Sequence, residues 1–183
     1  MRIFGVILAG GAGRRMGGVD KALIRFRGET LLSQAIARLH PQVESLAVSY
    51  NGASLMTEFA ILKDAASLGP LAGILAAMDW AQGADAVVSV AVDTPHFPCD
   101  LVPRLHLAGN GGLAVARAAR VHPTFGIWPR TLRKDLADFL ASGVNPKVMD
   151  FCTTHGAAFA DFPNESAFAN INTPQDLAAL ELG

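Results

Sequence analysis

Cysteine is almost missing from this 183-residue chain: Cys99 and Cys152 are the only two, far apart and without a C-x-x-C pair. That spacing excludes a disulfide framework and a paired-thiol zinc site. Two reduced, partly buried thiols suit a cytoplasmic protein. Charge of one sign is not in excess either, with 15 Lys and Arg against 16 Asp and Glu and a net charge of −1. No overall basic field exists to attract nucleic acid or an anionic membrane, so any affinity for polyanions must come from a local cluster. No run approaches the ~18 apolar residues of a membrane span. Arg2 followed by Ile3 to Leu8 imitates a secretory signal, but the run is too short and passes straight into a glycine-rich loop. Two common nucleotide-binding signatures fail as well. G-x-G-x-x-G started at Gly11 ends on Met16, and G-x-x-x-x-G-K-[ST] fits Gly13 and Gly18 but then meets Val19 instead of lysine.

What is present begins with a hydrophobic content of 51%. With abundant alanine and this length, it predicts a compact soluble α/β protein with a proper core, one domain over residues 1–183. The most informative stretch is Val6 to Lys21, VILAGGAGRRMGGVDK. A short apolar strand there feeds a loop holding Gly10, Gly11, Gly13, Gly17 and Gly18, with Arg14, Arg15 and Lys21 set in or beside it. Glycines let backbone N–H groups approach an anion, and the cations add charge-assisted donors for phosphate oxygens. The competing reading is an ordinary glycine-rich connection with solvated basic residues.

Along the chain, strand and helix patterns alternate. Ala22 to Phe26 reads as a short extended piece, Arg27-Gly28-Glu29 as a turn, and Thr30 as the cap of a helix with Leu31, Leu32, Ala35, Ile36 and Leu39 on one face, stopped by His40-Pro41. Ser45 to Tyr50 and Ala60 to Lys63 are strands, and Gly69-Pro70 opens a helix bearing Leu71, Ile74, Leu75 and Met78. Ala86 to Val92, nearly all apolar, is a central strand covered on both faces, and a helix follows from about Asp100. Leu113 to Ala116 and Thr124 to Trp128 are strand candidates separated by Arg117, Arg120 and His122-Pro123. Helices follow near Leu132 to Leu140 and from Asn145-Pro146 to about His155, then a strand at Ala157 to Phe162 and a last helix from Thr173-Pro174. The pattern predicts an α/β fold: one three-layer, Rossmann-like domain with a mostly parallel sheet and helices on both faces.

In such sheets ligands sit beyond the carboxyl ends of the strands. The Gly10–Lys21 loop, Asn51, Asp64 and Asp93 all fall there. Asp93, directly after VVSVAV, is held where a magnesium ion could bridge it to nucleotide phosphates; an N-cap or Asx-turn with Thr94-Pro95 is the alternative. Gly69 to Gly73 is either a helix N-terminus near an anion or a helix start with a glycine for close packing.

The pattern L-A-G-G-x-x-x-R-M-G-G-x-D-K, filled by Leu8 to Lys21 without a miss, resembles the nucleotide loop of nucleotidyltransferases and, more narrowly, of the molybdenum cofactor guanylyltransferases. Gly69-Pro70-Leu71-Ala72-Gly73, Asp93-Thr94-Pro95, His122 to Phe125 and Phe168 to Pro174 also resemble family segments. The resemblance implies a nucleotidyltransferase fold and transfer of GMP from GTP to the phosphate of molybdopterin, with release of pyrophosphate. It implies nucleotide contacts by Leu8, Ala9, Gly10, Gly11, Lys21, Asn51, Asp64 and Asp93, with Mg2+ on Asp93. It further implies that Lys21, Asp93 and Arg15 carry the catalysis and that Asn170, Asn172 and His122 line the acceptor side. Two departures stand out. Val92 replaces the Cys that usually precedes the aspartate, and Gly143 to Lys147 has Lys147 where the family often has two arginines. The expected partners are GTP, molybdopterin, and apo-molybdoenzymes or their chaperones, for a monomer that binds neither nucleic acid nor membrane. A cytidylyltransferase, a sugar-phosphate nucleotidyltransferase and a non-catalytic cofactor-delivery module are the alternatives.

Overall fold

The computed structural model describes residues 1–10, 20–64, 69–142 and 147–182. Gly11, Arg14 and Arg15 lie outside them, as do Gly143 and the Asn145-Pro146 helix start. The strands are β1 (Ile3–Leu8), β2 (Arg25–Phe26), β3 (Glu29–Thr30), β4 (Ser45–Ser49), β5 (Ala60–Leu62), β6 (Ala86–Ala91), β7 (Ala114–Arg117), β8 (Val121–Pro129) and β9 (Ala158–Asp161). The helices are α1 (Leu31–Leu39), α2 (Pro70–Trp80), α3 (Leu101–Gly109), α4 (Arg133–Ala141), α5 (Val148–Thr154) and α6 (Pro174–Leu182).

Seven strands form one sheet in the order β5-β4-β1-β6-β8-β7-β9. Pairing is parallel at β5–β4, β4–β1, β1–β6 and β7–β9. β8 runs antiparallel to both β6 and β7. The link from β7 to β8 is only Ala118 to Arg120, with Ala118 N–H donating to the Arg120 carbonyl at 2.9 Å. A parallel crossover needs about a dozen residues, so this link can only make a hairpin.

Alternate strand residues feed two cores, as a pleated strand requires. Ile7, Val48, Val88 and Ile127 pack under α1 and α3, while Phe4, Val6, Val87 and Trp128 pack under α2, α4 and α5. β6 is buried along nearly its whole length, as its uninterrupted apolar run predicts. Its one polar residue, Ser89, is satisfied: it donates to the Thr124 carbonyl and accepts from Trp128 Nε1, both at 2.8 Å. Helix α1 begins where expected, with Thr30 Oγ1 accepting from Ser33 N–H at 3.0 Å. Leu31, Leu32, Ala35 and Leu39 are its buried face.

Two local readings change. Ala22 and Leu23, expected to be extended, instead belong to a 3-10 turn, Lys21–Leu23, because Asp20 Oδ1 accepts from Ala22 N–H at 2.9 Å and caps it. The extended part shrinks to β2, which turns into β3 through Arg27 and Gly28, both at positive φ. His122 and Pro123 lie inside β8 rather than between two strands. Of the two thiols, Cys99 is exposed and Cys152 buried. No helix among the described residues is long and apolar enough to cross a membrane.

Candidate active site

From β1 the chain works outward through β4 to β5, then crosses back to place β6 on the other side of β1. The carboxyl ends of β1 and β6 therefore flank a topological switch point, where open α/β sheets leave a crevice. Register brings the ends level, with Leu8 opposite both Ser49 and Ala91 and Ser49 opposite Leu62. Pairing continues one residue further: Ala9 N–H donates to the Ser49 carbonyl at 2.9 Å and Val92 N–H to the Leu8 carbonyl at 3.1 Å. Leu8, Ala9 and Gly10 on one side and Asp93 on the other stand at this rim.

Lys21 Nζ donates to Asp93 Oδ2 at 2.6 Å and to the Asn172 side-chain oxygen at 2.5 Å. The two charged side chains are 20% and 16% exposed, so solvent screens their attraction only in part. Asn172 arrives from the extended segment before α6. That segment is sewn to the β6 loop by Ile171 N–H donating to the Asp93 carbonyl at 2.8 Å and by Thr94 Oγ1 donating to the Asn170 side-chain oxygen at 2.8 Å. Thr94 is fully buried. Asn170 and Asn172 thus both reach the Asp93-Thr94 loop, as their alternation predicts, with Asn172 on Lys21 itself.

Asp176 secures this arrangement from below. Its Oδ2 accepts from Asn172 N–H at 2.9 Å and Thr173 N–H at 2.8 Å, while Asp176 N–H donates to Thr173 Oγ1 at 3.1 Å. This is a capping box at the start of α6. The N–H of Asn172 and the contact with Thr173 hold the Asp176 carboxyl below the ordinary carboxylate range, with the charge of Lys21 adding to them.

On the far side of β1, Asn51 Nδ2 donates to Asp64 Oδ1 at 2.7 Å and Asp64 N–H returns to Asn51 Oδ1 at 3.2 Å. This pair ties the ends of β4 and β5 together beside the rim. An open groove of about 530 Å³, lined by Ile61, Leu62, Leu75 and Leu140, runs past Asp64 between α2 and α4. At Gly73 in α2 a Cβ would stand 2.6 Å from Ser49 Oγ and 2.8 Å from Leu8 Cδ2. The glycine therefore lets the helix press directly on the ends of β1 and β4, the close-packing alternative for this motif.

His122 sits apart from the Lys21–Asp93 pair. Its buried ring stacks on Phe168 at 4.4 Å, and Nε2 lies 3.1 Å from Glu165 Oε2. Burial pushes the Glu165 carboxyl up, but its bonds with His122 and Arg120 outweigh that and leave it low. Arg15 and Gly11, also expected at the site, lie outside the described residues.

Sequence reasoning gave no role to Asp20, Tyr50 or Asp176. The Thr173-x-x-Asp176 spacing is a capping-box signature and could have singled out Asp176. Asp20 carries the weaker signal of an acid two residues before a capped N–H. Tyr50 carries none.

The donor set also tests the metal. Among the described residues no three His, Cys, Asp or Glu side chains gather into a cage for an ion. A single carboxylate, with Oδ2 on Lys21 and only a long 3.5 Å contact from Thr94 Oγ1 to Oδ1, suits a hard divalent ion that keeps its waters and binds phosphate oxygens, so Asp93 fits a nucleotide-borne metal better than a structural one.

Residues 5–156 match the MobA-like NTP transferase domain. A molybdenum cofactor guanylyltransferase of Cereibacter sphaeroides is 52% identical over 189 aligned positions, covering 99% of this chain and 96% of that protein. The structure of a molybdopterin-guanine dinucleotide biosynthesis protein A from Archaeoglobus fulgidus superposes with a TM-score of 0.77 at 20% identity, covering 98% of this chain and 97% of its own. A Mycobacterium tuberculosis protein crystallised in complex with manganese gives a TM-score of 0.75 at 20% identity, with both chains covered in full. These two likenesses speak for the fold, and the first two findings for descent. The chain belongs to the molybdenum cofactor guanylyltransferases, within the MobA-like NTP transferase family.

Proposed function

We propose that this enzyme, acting as one unit over residues 1–183, transfers GMP from GTP to the phosphate of molybdopterin. An oxygen of the acceptor phosphate forms a bond to the α-phosphorus of GTP as the bond to the β-phosphate breaks. Pyrophosphate leaves with the bonding electrons, and molybdopterin guanine dinucleotide is the product. The attacking phosphate is already ionised at neutral pH, so no general base is required. The observation that carries this reading is the Lys21–Asp93 pair at the switch point.

Lys21 takes phosphate oxygens and offsets charge as pyrophosphate departs. Leu8 and Ala9, whose carbonyl and N–H respectively close the sheet ladder, lead to Gly10, which offers backbone at the rim, and Gly11 and Arg15 extend that loop in sequence. Asn51 and Asp64 hold each other and would contact the nucleoside. Asp93 would hold Mg2+, which when bound supplies a Lewis acid for the phosphate oxygens. Asn170 and Asn172 border the acceptor side. His122 supports it from the core, through Phe168 and the segment that follows. The protein contributes position and charge and forms no covalent intermediate. Its setting is the cytoplasm, where a monomer passes the product to apo-molybdoenzymes or their chaperones.

The test is pyrophosphate release from molybdopterin with magnesium, offering GTP, CTP, ATP and UTP in parallel. GTP alone should support it. Release with CTP instead would move the enzyme to cytidylyl transfer. Silence with all four, from folded protein that binds GTP and with active acceptor, would favour a delivery module.

A further inference from the structure

The Tyr50 hydroxyl donates to Asp20 Oδ2, joining the end of β4 to the residue directly before Lys21. The Asp20 carboxylate does two jobs at once, since its other oxygen caps Ala22 N–H at 2.9 Å. That cap sets the 3-10 turn Lys21–Leu23, whose first residue is the lysine. The root of the Lys21 side chain is therefore oriented by a turn whose cap is pinned from β4.

Tyr50 suits such a role. It is the only tyrosine in the chain and is 4% exposed. Its backbone N–H donates to the Leu62 carbonyl at 3.0 Å, so the ring starts from a fixed point on the sheet. Gly52 gives the ring its room, because a Cβ there would lie 2.1 Å from the Tyr50 hydroxyl oxygen. Lys63 Nζ sits 5.4 Å from the ring centroid and donates to the Gly52 carbonyl at 2.8 Å, closing the loop around it. The Ser54 carbonyl, 3.2 Å from the hydroxyl, is the weaker acceptor available. The loop that wraps the ring also carries Asn51.

We infer that Tyr50 is a positioning residue, which aims Lys21 at the nucleotide phosphates through Asp20 and couples the Asn51 loop to the phosphate side. The inference rests on the proposed role of Lys21. A ring needed only for packing would be replaced without loss by phenylalanine, whereas a hydroxyl that orients Asp20 would not.

The experiment is a double-mutant cycle on GTP affinity, read by titration calorimetry with magnesium on wild type, Tyr50→Phe, Lys21→Ala and the double variant. Tyr50→Phe should weaken GTP roughly three- to tenfold, the scale of one ordinary hydrogen bond, because the lost bond acts on the ligand only through Asp20 and Lys21. Its melting temperature should stay within about 4 °C of wild type. In the Lys21→Ala background the same change should cost less than about 1.5-fold. Full additivity with Lys21→Ala, or unaltered affinity in Tyr50→Phe, would overturn the inference and leave the role of Lys21 standing. Unaltered affinity in Lys21→Ala would overturn both. A second readout follows the phenol, whose pKa is raised first by the bond to Asp20 and then by burial. In Asp20→Asn its absorbance titration should move down toward the ordinary tyrosine value, and an unmoved titration would overturn the Tyr50–Asp20 link.

Discussion

Lys21 and Asp93 are 72 positions apart in the chain, yet the ammonium lies 2.6 Å from the carboxylate. In this structure they neutralise each other, with Asn172 as the lysine's second partner. In the proposed function a nucleotide with its metal would give each a stronger partner, phosphate oxygens for the lysine and a divalent cation for the aspartate. Binding would then exchange one ion pair for two.

Asp93→Ala should lower turnover by about 10²–10³ or more, the scale of losing one group that stabilises developing charge. Its circular dichroism should be unchanged. Lys21→Ala should lower turnover too and weaken GTP binding roughly tenfold. Steady-state kinetics and calorimetry on the two variants separate these effects, and near-normal turnover in Asp93→Ala would remove it as the metal ligand.

Asp176 touches neither partner of that pair but fixes the backbone of Asn172. Asp176→Ala should lower turnover by on the order of ten- to a hundredfold, as a misplaced group around a reaction centre does. The same variant should change acid stability. Because the folded-state pKa is depressed, the contribution of Asp176 is complete above its unfolded value near 3.9 and is lost as pH falls through the lower folded value. Melting temperature between pH 7 and about pH 3 should therefore fall more steeply in wild type than in Asp176→Ala. Parallel curves would count against the cap.

Gly73→Ala should be costly despite the good helix propensity of alanine. Its Cβ would meet Ser49 Oγ at 2.6 Å and Leu8 Cδ2 at 2.8 Å, both on packed strand ends. Overpacking of this kind costs about 1–3 kcal/mol, and relief would push the β1 rim away from α2. Urea denaturation would measure the loss and GTP titration the displaced rim. Wild-type values in both would show that α2 yields freely.

The thiols should differ sharply. Burial pushes the Cys152 thiol up to about 12, whereas Cys99 is exposed. At about pH 8 a neutral alkylating reagent should modify Cys99 alone in the folded protein and both thiols in denaturant, since the thiolate is the nucleophile. Mass spectrometry counts the adducts. Native modification of Cys152 would mean that α5 opens easily.

Local chemistry determined a large part of this molecule. The apolar run Ala86 to Val92, the Thr30 cap and the Gly69-Pro70 helix start are sequence-near features, and each reappears as β6, α1 or α2. The positions of the aspartate after β6 and of the two asparagines before α6 were legible for the same reason, whereas the loop pattern ending at Lys21 was read from resemblance and lies mostly outside the described residues. Strand ends and helix starts are written in neighbouring residues. The antiparallel β8 follows from a link too short for a crossover, although the His122-Pro123 pair disguised the start of that strand.

Only the tertiary structure decided which of these groups meet. Nothing in the chain says that Asn172 rests on Lys21, that the hydroxyl of Tyr50 reaches Asp20, or that Gly73 presses on Ser49. Those contacts depend on strand order and register, because β1 must lie between β4 and β6 for their ends to share one rim. Periodicity tells a side chain which face to take, but the partner across that face comes from distant segments whose placement is a property of the whole sheet.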